Sequence, residues 1–207
     1  MDRIYTRQRH FYDRTRKFFL LGRDQLIREL HPPDGGTVLE IGCGTGRNLI
    51  AAARAYSTAR FFGLDISTKM LATAGANIRH VGLEAQIALG SADAADFDPE
   101  KLFQRPRFDR VFFSYSLSMI PAWRDALTRA TSVVEPDGGR LLVVDFGEQQ
   151  RLPDWFRRAL FAWLARFHVT PRAELGQALS ALAASHGARA TFRPLLRDYA
   201  RFAELAR

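Results

Sequence analysis

A chain of 207 residues with 47% apolar content is long enough for one domain with a full core and a few appended helices. No apolar run nears the ~20 residues that span a bilayer, no signal-peptide order of charge, apolar core and cleavage site opens the chain, and the lone Cys43 excludes an internal disulfide and fits a reducing compartment. The net charge of +8 is uneven: residues 1–31 carry eight Lys/Arg against four Asp/Glu, residues 32–150 twelve against fourteen, and residues 151–207 ten against four. The basic excess therefore lies in the two ends, which points to an anionic partner away from the centre, a membrane surface or a nucleic acid.

Residues 2–30 read as helix, broken near Gly22. Ile4, Phe11, Thr15, Phe18, Gly22 and Leu26 fall at helical spacing, with Arg3, Arg7, Arg9, Arg14, Lys17 and Arg23 mainly elsewhere. Two compatible readings follow: a helical lid packed on the domain, or a basic amphipathic helix resting on anionic lipid. His31-Pro-Pro-Asp-Gly-Gly36 is a turn. Thr37-Val-Leu-Glu-Ile41 reads as a short buried strand, Gly42, Gly44 and Gly46 as a tight corner where backbone approaches a ligand, and residues 47–56 as a helix. A second strand near 60–64 ends at Asp65, a helix follows over 67–80, and further strands are expected near 85–89, 108–113 and 140–145 with a helix near 122–134. Strand–helix alternation implies a parallel sheet with helices on both faces, an α/β doubly wound architecture. Residues 151–185 form an insertion whose helix at 154–168 carries Trp155, Phe156, Leu160, Trp163, Leu164 and Phe167 as an apolar stripe flanked by Arg157, Arg158 and Arg166. That stripe either packs on the domain or meets a membrane interface. Arg189–Leu195 and Tyr199–Ala203 are candidates for a closing hairpin. The whole reads as one domain, divided into an N-terminal segment (1–31), a cofactor-binding core (32–150), the insertion (151–185) and the hairpin (186–207).

The glycine spacing narrows the ligand. A dinucleotide fingerprint puts its third glycine three residues after the second; here that position is Arg47, too large for the close approach. No Lys-Ser/Thr pair follows, so the corner is not a P-loop. Glu40, just before the turn, would repel a pyrophosphate and suits a ligand with a positive end. An acid ending the next strand, Asp65, stands about 20 residues on, where ribose recognition needs it.

Glu40-x-Gly42-x-Gly44-x-Gly46 resembles the cofactor loop of class I S-adenosylmethionine-dependent methyltransferases. That resemblance implies a Rossmann-like, mostly parallel seven-stranded sheet with S-adenosylmethionine as cofactor and S-adenosylhomocysteine as product. It assigns Glu40 and the Gly42–Cys43–Gly44–Gly46 backbone, with Asn48, to the methionine end. Asp65 takes the ribose, Ile66 and Met70 pack on the adenine, and Gly90-Ser-Ala-Asp-Ala94, with Ala92, Asp93 and Ala94, forms the adenine-edge loop. The segment after the fourth strand, Ser114-Tyr-Ser-Leu-Ser-Met-Ile-Pro121, would build the acceptor site, with Ser114 and Tyr115 as acceptor-side groups. It lacks the Asp/Asn-Pro-Pro-Tyr/Phe of nucleic-acid amino-methyltransferases, which argues against nucleic acid as partner and against an adenine-methylating role on DNA or RNA. Tyr12 and Asp13 stand where related enzymes close a Tyr-Asp segment over the cofactor. His168 can take a proton at neutral pH or simply end its helix. Cys43 reads as a small residue filling a tight turn. No metal site is expected.

The N-terminal Tyr-x4-Arg-His-x-Tyr-Asp-x-Thr-Arg-Lys-Phe-Phe-Leu-Leu-Gly-Arg-Asp, the Cys-Gly-Thr-Gly-Arg-Asn-Leu loop and Ser-Leu-Ser-Met-Ile-Pro-x-Trp123 together look like the bacterial betaine-lipid N-methyltransferases, which trimethylate diacylglyceryl-homoserine. Bacterial phosphatidylethanolamine N-methyltransferases are similar. The resemblance implies a lipid substrate, an anionic membrane surface as partner and a peripheral position at the cytoplasmic face of the membrane. A methyltransferase on a soluble small molecule or RNA, and a cofactor-binding protein without activity, are the competing readings.

Overall fold

The computed structural model describes residues 20–150, 152–167 and 169–207. In chain order these form α1 (Arg23–Glu29), β1 (Thr37–Ile41), α2 (Arg47–Ala55), β2 (Arg60–Asp65), α3 (Thr68–His80), β3 (Ile87–Ser91), α4 (Pro99–Phe103), β4 (Arg110–Ser114), a 3-10 turn (Leu117–Met119), α5 (Trp123–Ser132), β5 (Arg140–Phe146), α6 (Asp154–Ala165), α7 (Leu175–Ser185), β6 (Arg189–Leu195) and β7 (Ala200–Ala206).

The described strands make one seven-stranded sheet in the order β3-β2-β1-β4-β5-β7-β6. β3, β2, β1, β4 and β5 run parallel, while β7 lies antiparallel between β5 and β6. This is the Rossmann-like class I methyltransferase fold, with the expected hairpin closing its edge.

Side-chain alternation divides the core between the two faces. Val38, Phe61, Phe112, Leu142 and Val144 pack with Leu26, Leu30, Leu49 and Ala52 of α1 and α2 on one side. Leu39, Phe62, Val111, Phe113 and Val143 pack with Leu127, Leu175 and Leu179 of α5 and α7 on the other. β1 is buried over all five residues, as a central parallel strand must be. The order reverses between β1 and β4, so the crevice of the fold opens beyond Ile41 and Ser114.

Several sequence expectations shift. β3 is displaced to 87–91, so Gly90 and Ser91, expected in a loop, still belong to the strand. The insertion holds two helices rather than one. α4 and the 3-10 turn were not expected. The signal for α4 was local: Asp98 accepts from the Glu100 and Lys101 amides, and Pro99 sits in the first turn. The stripe on α6 mostly faces the protein: Leu160 and Leu164 are buried, and Phe156, Trp163 and Phe167 pack against the core. Trp155 stands apart at 68% exposure.

Candidate functional site: a cofactor corner and its cavity

The glycine corner links β1 to α2 and is braced from β2. The Gly42 and Cys43 amides donate to the Leu64 carbonyl at 2.8 and 3.0 Å, and the Gly46 amide to the Cys43 carbonyl at 3.0 Å. The Asp65 carboxylate accepts from the Gly44 amide and, through its other oxygen, from the Ser67 amide, each at 2.9 Å. Asp65 thus braces the corner, a task additional to the ribose role expected of it. Cys43 packs inward, its sulfur 2.9 Å from where a Cβ on Gly63 would stand. Burial, reinforced by the Glu40 and Asp65 charges, pushes its thiol well above the usual range, so it stays protonated and fills the turn.

A cavity of about 490 Å³ opens at this corner, lined by Glu40, Gly42, Cys43, Gly44, Asn48 and Ser114 at one end, with Leu20 and Arg23 over it. Glu40 is 1% exposed, and the Asn48 amide donates to its Oε1 at 2.7 Å, fixing the carboxylate. Ser114 is 8% exposed, and its Oγ has no hydrogen-bond partner among the described residues. A buried hydroxyl left without a partner at a cavity wall is a place for a ligand's polar group. At Gly44, with φ +54°, a Cβ would meet nothing within 4 Å, so it would project into open space at the corner.

The adenine-side residues are not among those lining this cavity. Ile66, directly after Asp65, is 62% exposed and offers a bare apolar surface. Met70 and Ala94 are buried beneath, Ala92 is half-buried, and the exposed Asp93 accepts from the Ala95 amide at 2.8 Å through one oxygen. A buried acid for an ammonium, glycines that leave the corner free of side chains, a second acid at the end of β2 for a ribose and an apolar platform fit S-adenosylmethionine. Tyr12, Asp13 and His168 lie outside the described residues.

Tyr115 requires a correction. Its hydroxyl does not stand at the acceptor position but donates to the Leu21 carbonyl. The residue is 2% exposed, its ring is edge-on to Phe146 at 4.7 Å, and its backbone takes a left-handed φ of +56°. Burial, then the nearby Asp145 charge, raises its phenol well above the ordinary range, which removes it as a base. Its work is to clamp the Leu20–Arg23 corner over the cavity. Tyr115→Phe should therefore raise the Michaelis constant for cofactor by about two- to tenfold, the worth of one net hydrogen bond, with turnover at saturation and the pH–rate profile unchanged. A fall in turnover alone would return Tyr115 to the acceptor.

Sequence reasoning missed Arg23 as a cavity residue, and missed that Asp145 braces the acceptor segment. Asp145 is fully buried and accepts from the Ser118 and Phe146 amides at 2.9 and 2.7 Å. Burial raises its carboxyl, and those hydrogen bonds oppose the rise. Arg172, donating to the Leu117 and Ile120 carbonyls at 3.1 and 2.8 Å, ties the same turn to the insertion.

Comparison with known proteins agrees with this geometry. Residues 38–138 match the family described as a methyltransferase domain. The chain is 30% identical over 131 residues to methyltransferase GfsG of Streptomyces halstedii, covering 63% of this chain and 45% of the relative. It is also 30% identical over 136 residues to a phosphatidylethanolamine N-methyltransferase of Cereibacter sphaeroides, covering 66% and 62%. The chain thus spans about half to three-fifths of these relatives' lengths. Among solved structures, a SAM-dependent methyltransferase from Aquifex aeolicus superposes with a TM-score of 0.69 at 15% identity, over 97% of both chains. Residues 38–138 thus match a methyltransferase domain on a sheet of the class I topology, and the corner fits S-adenosylmethionine as cofactor.

Proposed function

We propose that the protein is an S-adenosylmethionine-dependent N-methyltransferase acting on the amine head group of a membrane lipid, diacylglyceryl-homoserine being the substrate that the sequence resemblance favours. The observation that carries the lipid reading is Trp155. It is 68% exposed at the start of α6, edge-on to Phe156 at 5.8 Å, on the segment that leaves the C-terminal end of β5. Exposed Arg158 and Arg166 share its helix region, a pairing suited to the boundary between anionic head groups and acyl chains. Among the described residues no helix is long and apolar enough to cross a membrane, so contact would be peripheral. The second reading, a phosphatidylethanolamine N-methyltransferase, is favoured by the Cereibacter sphaeroides relative of that name.

When bound, S-adenosylmethionine supplies a methyl group already activated on a sulfonium. The protein then has to orient, exclude water and keep the acceptor amine neutral. Glu40, held by Asn48, would hold the methionine ammonium, and Asp65 would hold the nucleoside side. The Ser114 hydroxyl can accept from the attacking amine. The Leu20–Arg23 corner, clamped by Tyr115, closes the cavity from above.

The test is to incubate the protein with labelled S-adenosylmethionine and vesicles carrying diacylglyceryl-homoserine or phosphatidylethanolamine, alongside soluble amines, and to identify the product. Label should enter a lipid, and Trp155→Ala should lower the rate on phosphatidylglycerol-containing vesicles while leaving cofactor affinity unchanged. Label entering only soluble amines would sink the lipid reading.

A further inference from the structure

The cavity does not end at the cofactor corner. Its far walls are two helix faces: Arg47, Ile50, Ala51 and Arg54 of α2, and Asn77, His80 and Val81 at the end of α3. Positions 47, 50, 51 and 54 share one side of a helix, as do 77, 80 and 81. Asn77 is occupied, donating to the Thr45 carbonyl at 3.0 Å. Among the described residues the side chains of Arg47, Arg54 and His80 make neither a hydrogen bond nor an ion pair. Among the described lining residues the only acid is Glu40, at the opposite end.

Arg54 lies seven residues beyond Arg47, about 10 Å along the helix axis. The cofactor's single carboxylate belongs beside the glycine corner, within reach of Arg23 or Arg47, and does not serve both ends of the groove. Arg54 and His80 are therefore left lining a cavity with no anion beside them among the described residues. Half-buried Ile50 and Val81, with Ala51, lie between the basic side chains. Surface arginines commonly stay solvated, but two helix faces converging on one cavity with this alternation present cations and apolar surface to the same ligand.

We propose that the α2–α3 groove binds a single anionic amphiphile, its phosphate or carboxylate on Arg54 and His80 and its apolar chain along Ile50, Ala51 and Val81, at a subsite distinct from the methyl-transfer end. The inference does not depend on which amine is methylated.

Calorimetric titration tests it with three probes: dihexanoyl phosphatidylglycerol below its micelle concentration, dihexanoyl phosphatidylcholine, whose ammonium cancels the phosphate charge, and inorganic phosphate. The native protein should bind phosphatidylglycerol saturably, and about tenfold or more tighter than either of the others. The double variant Arg54→Gln, His80→Gln should weaken that binding by at least about tenfold, the scale of losing charge-assisted hydrogen bonds. S-adenosylmethionine affinity, measured on the same samples, should stay within about twofold, which shows that the variant is folded and that the corner is intact. Equal phosphatidylglycerol affinity in variant and native protein, or no saturable binding, overturns the site. Phosphate binding as tightly as phosphatidylglycerol overturns the amphiphile.

Discussion

Gly42→Ala should destabilise the protein by about 2–5 kcal/mol, and cofactor binding should fall with it. Two penalties add. Gly42 has φ +78°, a left-handed conformation that costs an L-residue about 1–2 kcal/mol. A Cβ there would also lie 2.5 Å from the Ser116 Cβ. Ser116 cannot easily give way, since it is buried and its hydroxyl donates to the Ile41 carbonyl at 2.8 Å. Forcing a methyl into such a contact typically costs another 1–3 kcal/mol. Gly44→Ala is the matched control. Its φ is also positive, but its Cβ enters open space where the cofactor is expected. That variant should lose S-adenosylmethionine affinity while its thermal midpoint moves by only the left-handed penalty. Denaturant unfolding and calorimetry on both variants separate the two roles. A Gly42→Ala protein as stable as the native one would mean that β1 and the β4 segment are not pressed together as described.

That contrast bears on what a sequence can carry. Strand, glycine corner and helix were legible over residues 37–56 because each signal is local: an aliphatic run, three glycines at alternate positions, then strong helix formers. Asp65 was legible because strand length sets where the next acid falls. The two glycines look alike in sequence, and only the packing of β4 against β1 tells them apart. Tyr115 failed for the same reason. Its partner is the carbonyl of Leu21, 94 residues away, and no spacing rule reports such a contact. The basic groove needs α2 and α3 side by side, so Arg54 and His80 carried no joint signal. For α6 the period revealed an apolar face but not what covers it; the core takes Leu160 and Leu164, and Trp155 is left exposed. Distances along the chain therefore gave the cofactor corner its residues, and tertiary contacts decided their roles.

Asp65→Ala should weaken S-adenosylmethionine binding by at least about 1.5–3 kcal/mol, the worth of hydrogen bonds to a charged acceptor. The carboxylate has two tasks. It holds the Gly44 and Ser67 amides at 2.9 Å each, and the ribose role proposed for it falls to its remaining lone pairs. Alanine removes both, so the loss of affinity alone does not assign the ribose role. A double-mutant cycle does. Native and Asp65→Ala proteins are each titrated with S-adenosylhomocysteine and with its analogue lacking both ribose hydroxyls. If Asp65 accepts from those hydroxyls, removing them should cost the native protein about 1.5 kcal/mol or more and the variant much less, because the partner has already gone. If Asp65 only braces the corner, the two losses are equal and the cycle closes to zero. Asp65→Asn sharpens the reading: it keeps one acceptor for a backbone amide but loses the charge, so it should retain most of the stability and still bind the nucleoside weakly.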